Sequence, residues 1–228
     1  DVHRLMYKDL PAGMISLFQS AYNFMKQQID GVNLSGKIVM ESYINAWFFL
    51  YTHQGIFDSD GRYIIVDKYP ETLAMYKALM ERENYRLPIL YIADSTLDLP
   101  LCPSCIDVNI DFFATNEHNF YRRSFFYEEL TPLLKPGAWI IGTYFYFENG
   151  WRSMQKLLSQ YPKCSDNNFS LQYFLKMANE SGIVIDKKEI CGPSIDSGNN
   201  IGFSFHQKGE KLYLLPYTAH CALPGRMG

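Results

Sequence analysis

Three carboxylates stand where short apolar runs end: Glu41 after KIVM (37–40), Asp67 closing RYIIVD (62–67) and Asp94 closing LPILYIAD (87–94). If those runs are parallel strands of one sheet, the three acids meet at its carboxyl edge, where open α/β sheets hold their ligands. A carboxylate there accepts hydrogen bonds from hydroxyl or amino groups. Each acid also has a plainer use. Asp67 can cap a helix that begins near Pro70, and Asp94 can close an Asx-turn. Further along, DFFATNEH (111–118) carries Asp111 and His118 past a fourth apolar run; His118 is either a general base facing an acceptor or a solvated loop histidine. Cys102-Pro-Ser-Cys105 has the CxxC spacing, but a redox pair should open a helix and this one precedes CIDVNIDFF, which reads as a strand. A zinc site needs a second ligand pair. Cys164, Cys191, His220 and Cys221 lack the spacing, so no metal is expected.

The elements that must position these residues follow from periodicity. Residues 11–29 place Met14, Leu17, Phe18, Ala21, Phe24, Met25 and Ile29 at spacings of three and four, with Pro11 at the start and Gly31 at the exit, which predicts a helix. Strand 37–40 is followed by a short apolar helix over 45–54, a DSDG turn (58–61) and strand 62–67. A helix from Pro70 to about Asn84 turns Leu73, Tyr76, Leu79 and Met80 inward. Strand 87–94 precedes a loop over 94–104, strand 105–113, and a helix from about 119 to 134 that stops at Lys135-Pro136-Gly137. Strand 138–147 comes next, then helical segments in 150–181, and finally strands 183–192 and 210–218. This alternation predicts a mostly parallel, seven-stranded sheet with helices on both faces, a Rossmann-like three-layer α/β sandwich with an antiparallel edge. The organisation is an N-terminal helical segment over 1–34 and an α/β domain over 35–228. The 11–29 helix either covers this sheet or pairs with another chain, a homodimer partner or an attached N-terminal module.

Composition narrows the classes. The 228 residues are 47% hydrophobic and 20% charged, enough for a full core. A net charge of −3, with Arg122-Arg123 as the densest basic spot, argues against a direct nucleic-acid surface. No apolar run reaches the ~18 residues of a membrane span. No secretory signal opens the chain, and five scattered cysteines fit a reducing compartment, so a cytoplasmic location is expected. The first residue is Asp1, as in a piece of a longer protein. Seventeen Tyr and sixteen Phe supply either an aromatic core or a pocket for a flat ligand.

The order of pieces resembles the class I S-adenosylmethionine-dependent methyltransferase fold over about residues 35–218. EELTPLLKPGAWIIG (128–142) is similar to that family's helix exit into strand five, ADSTLDLPLCPSCIDVNI (93–110) to its passage across strands three and four, and IIVDKYPETLAMYKALM (64–80) to its strand-two acid and following helix. The resemblance implies S-adenosylmethionine as cofactor, with Asp67 on the ribose hydroxyls, Asp94 and Ser95 on the adenine amino group, and Glu41, Tyr43, Asn45 and Asp111 around the rest. It also exposes a departure. The family's first motif has glycines two, four and six places after its acid, and with Glu41 in the acid's place these fall on Tyr43, Asn45 and Trp47. Glycine reaches positive φ without strain and lets a ligand touch the backbone; Asn tolerates positive φ, whereas Tyr and Trp do so poorly. Trp47 could instead open the following helix, leaving only Tyr43 aimed at the cofactor space. The standard cofactor mode is therefore expected to be impaired.

Two functions follow. In one, catalysis is lost and the domain senses a small-molecule ligand or holds a partner, with Tyr43, Phe112, Phe113, Tyr144 and Tyr146 lining the pocket. In the other, the chain is an active small-molecule methyltransferase with an atypical first loop, needing no base because positioning can carry methyl transfer. A nicotinamide-dependent oxidoreductase would want the same missing glycines.

Overall fold

The apolar runs between residues 37 and 113 become four parallel strands. The computed structural model describes residues 12–30, 32–43, 60–83, 88–94, 97–121, 124–148, 169–195 and 211–222. In it, α1 (Ala12–Ile29) precedes β1 (Ile38–Ser42), β2 (Arg62–Asp67), α2 (Pro70–Arg82), β3 (Ile89–Ala93) and β4 (Ile106–Phe112). Then come α3 (Ala114–Tyr121), α4 (Phe126–Leu130) running into a 3₁₀ turn (Thr131–Leu133), β5 (Leu134–Phe147), α5 (Leu171–Glu180), β6 (Ile183–Lys188), β7 (Cys191–Ile195) and β8 (Lys211–Cys221). The strand order is β3-β2-β1-β4-β5-β8-β6, with β7 also on β8. β1 to β5 are mutually parallel and β8 runs antiparallel between β5 and β6. The mostly parallel sheet with an antiparallel edge is thus as the sequence predicts.

Several details differ, each for a local reason. The run 183–192 is two strands rather than one, which makes the sheet eight-stranded among the described residues. Gly192 at φ +120 follows the break at Glu189-Ile190, and both pieces lie along β8. The helix predicted over 119–134 is two helices. The Asn119 side chain accepts the N–H of Phe126 at 2.9 Å and fixes a new start there, and Pro132 tightens the end into a 3₁₀ turn. β5 begins at Leu134, four residues before the predicted start. Ile106 pairs Leu134 and Val108 pairs Trp139, so Lys135-Pro136-Gly137 bulge out of the ladder, with Gly137 at φ +76. The 45–54 helix, the segment 150–168 and Arg122-Arg123 lie outside the described residues.

The sheet is covered on both faces. On one, α1 sets Leu17, Phe18, Ala21, Phe24, Met25 and Ile29 against Ile141, Phe147, Leu212 and Leu214, and α2 adds Leu73, Tyr76 and Met80. Thr143 Oγ1 donates to Met25 Sδ at 3.0 Å across this contact. The apolar stripe of α1 is therefore spent on this sheet. On the other face, Phe125, Phe126, Tyr127 and Leu130 of the α4 region and Phe174 and Ala178 of α5 pack over Met40, Ile64, Ile140 and Leu215. Among the described residues no helix is long and apolar enough to cross a membrane.

Candidate functional site

β1 and β4 are neighbours from which the chain winds in opposite directions, so the crevice beyond their carboxyl ends is the ligand position of such a sheet. Glu41 lies in β1 opposite Ile65 and Ile110 and is 1% exposed. The Tyr76 hydroxyl of α2 donates to its Oε2 at 2.9 Å, so this acid faces the α2 side. Asp67 ends β2, is 3% exposed, and accepts the N–H of Tyr69 on Oδ1 at 2.8 Å. That bond turns the chain into α2, which starts at Pro70. Asp94, half-buried, donates its N–H to the Asp67 carbonyl at 3.0 Å, which sets the two acids on adjacent strand ends. Lys68 ion-pairs with Glu117 of α3, joining the ends of β2 and β4 across β1, and its ammonium lies 4.8 Å from the Tyr69 ring centre.

The residue in the first glycine's place keeps a glycine-like backbone. Tyr43 has φ +45 and is 3% exposed, with its ring centre 6.2 Å from those of His118 and Phe126. Phe113, one residue past β4, does the same at φ +65 and packs on Phe112, Phe18 and Phe145. Two aromatic residues in the left-handed region, which costs a non-glycine residue about 1–2 kcal/mol, therefore stand at the two strand exits of the switch point.

Asp111, expected near the cofactor, is instead wholly enclosed on the α4 side. Thr115 N–H donates to it at 3.0 Å, and Thr115 Oγ1 (2.5 Å), Tyr127 Oη (2.9 Å) and Tyr217 Oη (2.7 Å) gather on its Oδ2; the two tyrosine hydroxyls also contact each other, so their two protons are shared among three contacts. Burial raises its carboxyl above the usual range, against the pull of those bonds, and burial likewise raises both tyrosines well above theirs. These bonds tie β4, α4 and β8 together. Neither tyrosine was singled out in the sequence; their only signal was a hydroxyl inside an apolar run, FFYEEL and YLLPYT.

His118 is buried rather than solvated. It lies on α3, is 3% exposed, and its Nε2 is 3.6 Å from Glu129 and 3.4 Å from Ser124 Oγ. The five aromatics expected to line one pocket divide between the faces of the sheet. Phe112 and Phe113 belong to the α1 side, and Tyr43, Tyr144 and Tyr146 to the other. Tyr144 stacks on Phe174 (4.3 Å) and Tyr146 on Tyr213 (5.3 Å). The alternation of β4 and β5 sets Phe112, paired with Thr143, on the face opposite Tyr144 and Tyr146. Asn45, Trp47 and Ser95 lie outside the described residues. Among the described residues no group of three or more His, Cys, Asp or Glu is placed to hold a metal ion.

No family model matches the sequence, and no curated protein does. Solved structures do match in fold. A protein of Bacillus halodurans assigned as a methyltransferase is 11% identical at a TM-score of 0.65, over 90% of this chain and 100% of that one. Geranyl diphosphate C-methyltransferase of Streptomyces coelicolor, solved with Mg2+, geranyl diphosphate and S-adenosyl-L-homocysteine, is 10% identical at 0.62, over 91% and 80%. A SAM-dependent methyltransferase of Aquifex aeolicus is 14% identical at 0.57, over 96% and 98%. The chain has the class I S-adenosylmethionine-dependent methyltransferase fold.

Proposed function

We propose that this chain is a methyltransferase-fold module that does not bind S-adenosylmethionine in the standard way and that works by binding another ligand or a partner protein. The observation that carries this is Tyr43: the residue that should leave room for the cofactor is an aromatic one, buried against His118 and Phe126. Its neighbours agree. Glu41 is engaged by Tyr76, and Asp111 has its carboxylate enclosed by protein donors. Together these engagements support a β1 exit that lacks room for the cofactor in its standard pose.

Calorimetric titration with S-adenosylmethionine and S-adenosylhomocysteine tests this. No heat up to about millimolar ligand is expected; a micromolar Kd, about −8 kcal/mol, overturns it. A second reading, an active small-molecule methyltransferase, is favoured by one observation: Asp67 and Asp94 occupy adjacent strand ends, as ribose and adenine recognition would require. The same titration separates the two, and in the second case Asp67→Ala weakens the binding.

A further inference from the structure

We propose that two copies of this chain associate through the outer edge of β3, making one continuous sheet about a two-fold axis at Tyr91. Among the described residues β3 ends the sheet and pairs only with β2. Tyr63 N–H donates to the Pro88 carbonyl at 3.2 Å and Asp94 N–H to the Asp67 carbonyl at 3.0 Å. Backbone bonds alternate sides along a strand, so residues 88, 90, 92 and 94 face β2, while Ile89, Tyr91 and Ala93 turn their N–H and C=O groups outward.

Those three residues are symmetric about the middle one. An antiparallel second β3 sets Tyr91 against Tyr91 and Ile89 against Ala93, each pair exchanging two hydrogen bonds, with Leu90 against Ile92 at the closer, non-bonded positions. Every cross-strand pair is uncharged. Leu90, 49% exposed, gains an apolar neighbour. Sheet edges are ordinarily guarded by charge, proline or a bulge. The opposite edge follows that rule: β6 carries the exposed Asp186, Lys187 and Lys188, and β7 contains Pro193. β3, ILYIA, has none of these guards. Because the strand is complementary to itself in a register set by its own backbone, a second copy is the occupant it fits. Two five-residue strands make a small contact, so the association is weak and reversible.

The test is sedimentation of the whole chain from about 5 to 500 µM, a range that brackets a weak dimer. A reversible monomer–dimer equilibrium is expected. Leu90→Lys should weaken it at least about tenfold, while Val184→Lys, at an exposed apolar position on the guarded edge (40%), should leave it unchanged. Hydrogen exchange adds a signature specific to edge pairing: the amides of Ile89, Tyr91 and Ala93 become protected at high concentration, while those of Leu90 and Ile92 stay as they were. A monomer at every concentration overturns the proposal. So does a dimer that Leu90→Lys leaves intact with those three amides still exchanging.

Discussion

Replacing Tyr43 by Gly and, separately, by Ala distinguishes a backbone imposed by the fold from one the tyrosine merely happens to adopt. Both changes remove a ring that is 3% exposed, and each should cost about 3–5 kcal/mol for the lost contacts and the space left behind. They differ in the backbone. Ala retains the penalty of φ +45, on the order of 1–2 kcal/mol. Gly sheds it and gives back about 0.4–1 kcal/mol through its freer unfolded chain. Gly should therefore be the more stable of the two by roughly 0.5–1 kcal/mol, the reverse of the order at an ordinary strand position. Urea unfolding of both variants reads this as a midpoint higher by about 0.3 M for Gly. An Ala variant at least as stable as the Gly variant refutes the claim that the strand exit demands a left-handed residue. The same two proteins then report on the ligand site. Binding of S-adenosylhomocysteine by the Gly variant and not by the unaltered chain would make the ring itself the obstruction.

Two further outcomes concern the buried network. Because burial raises the Asp111 carboxyl, its stabilising form is the protonated one; that contribution is whole below about pH 4 and declines as pH rises toward and through the folded-state value. Asp111→Asn cannot titrate, so the stability advantage of the unaltered chain over this variant should shrink from about pH 4 upward in urea melts; a constant difference contradicts the assignment. In Gly142→Ala the new Cβ would stand 2.6 Å from the Tyr217 ring and 2.9 Å from the Asp111 carbonyl. That ring is pinned by Asp111 and Tyr127, so the change should cost about 1–3 kcal/mol and lower Tm by roughly 3–10 °C in calorimetry. An unchanged Tm would mean that the ring steps aside.

The sheet was legible because its signal is local. RYIIVD and WII are the continuous apolar runs expected of strands buried on both faces, ILYIA is a like run at the sheet edge, and their alternation with helical spacing points to the parallel order. The break of 183–192, the bulge at 135–137 and the split of 119–134 were not legible. Each depends on a partner distant in sequence, β8 for the first and β4 for the second, or on one side chain, Asn119, accepting a backbone N–H seven residues away. The candidate site divides the same way. Placing Asp67 and Asp94 on neighbouring strand ends needed only the strand ends themselves. The fate of Asp111 needed Tyr217, more than a hundred residues later, and the separation of the five aromatics needed the facing of β4 and β5.

The strand exits of the switch point tie the proposed change of ligand chemistry to stability. β1 is held on both sides, Ser42 lying opposite Val66 and Asp111, and the residue after β4 is tied to β5 by the Phe113 N–H bond to the Thr143 carbonyl. Those ladders set the direction in which the chain must leave, and both exits leave through the left-handed region. Glycine would meet that demand without strain and leave space; tyrosine and phenylalanine meet it under strain and fill the space. The offset comes from packing, since a buried ring contributes several times the cost of the φ angle. Stability and an open β1 exit therefore compete for one volume, and Tyr43 resolves the competition toward stability. Widening that exit should always lower stability, and a Tyr43→Gly variant that bound the cofactor with no loss of stability would break this link.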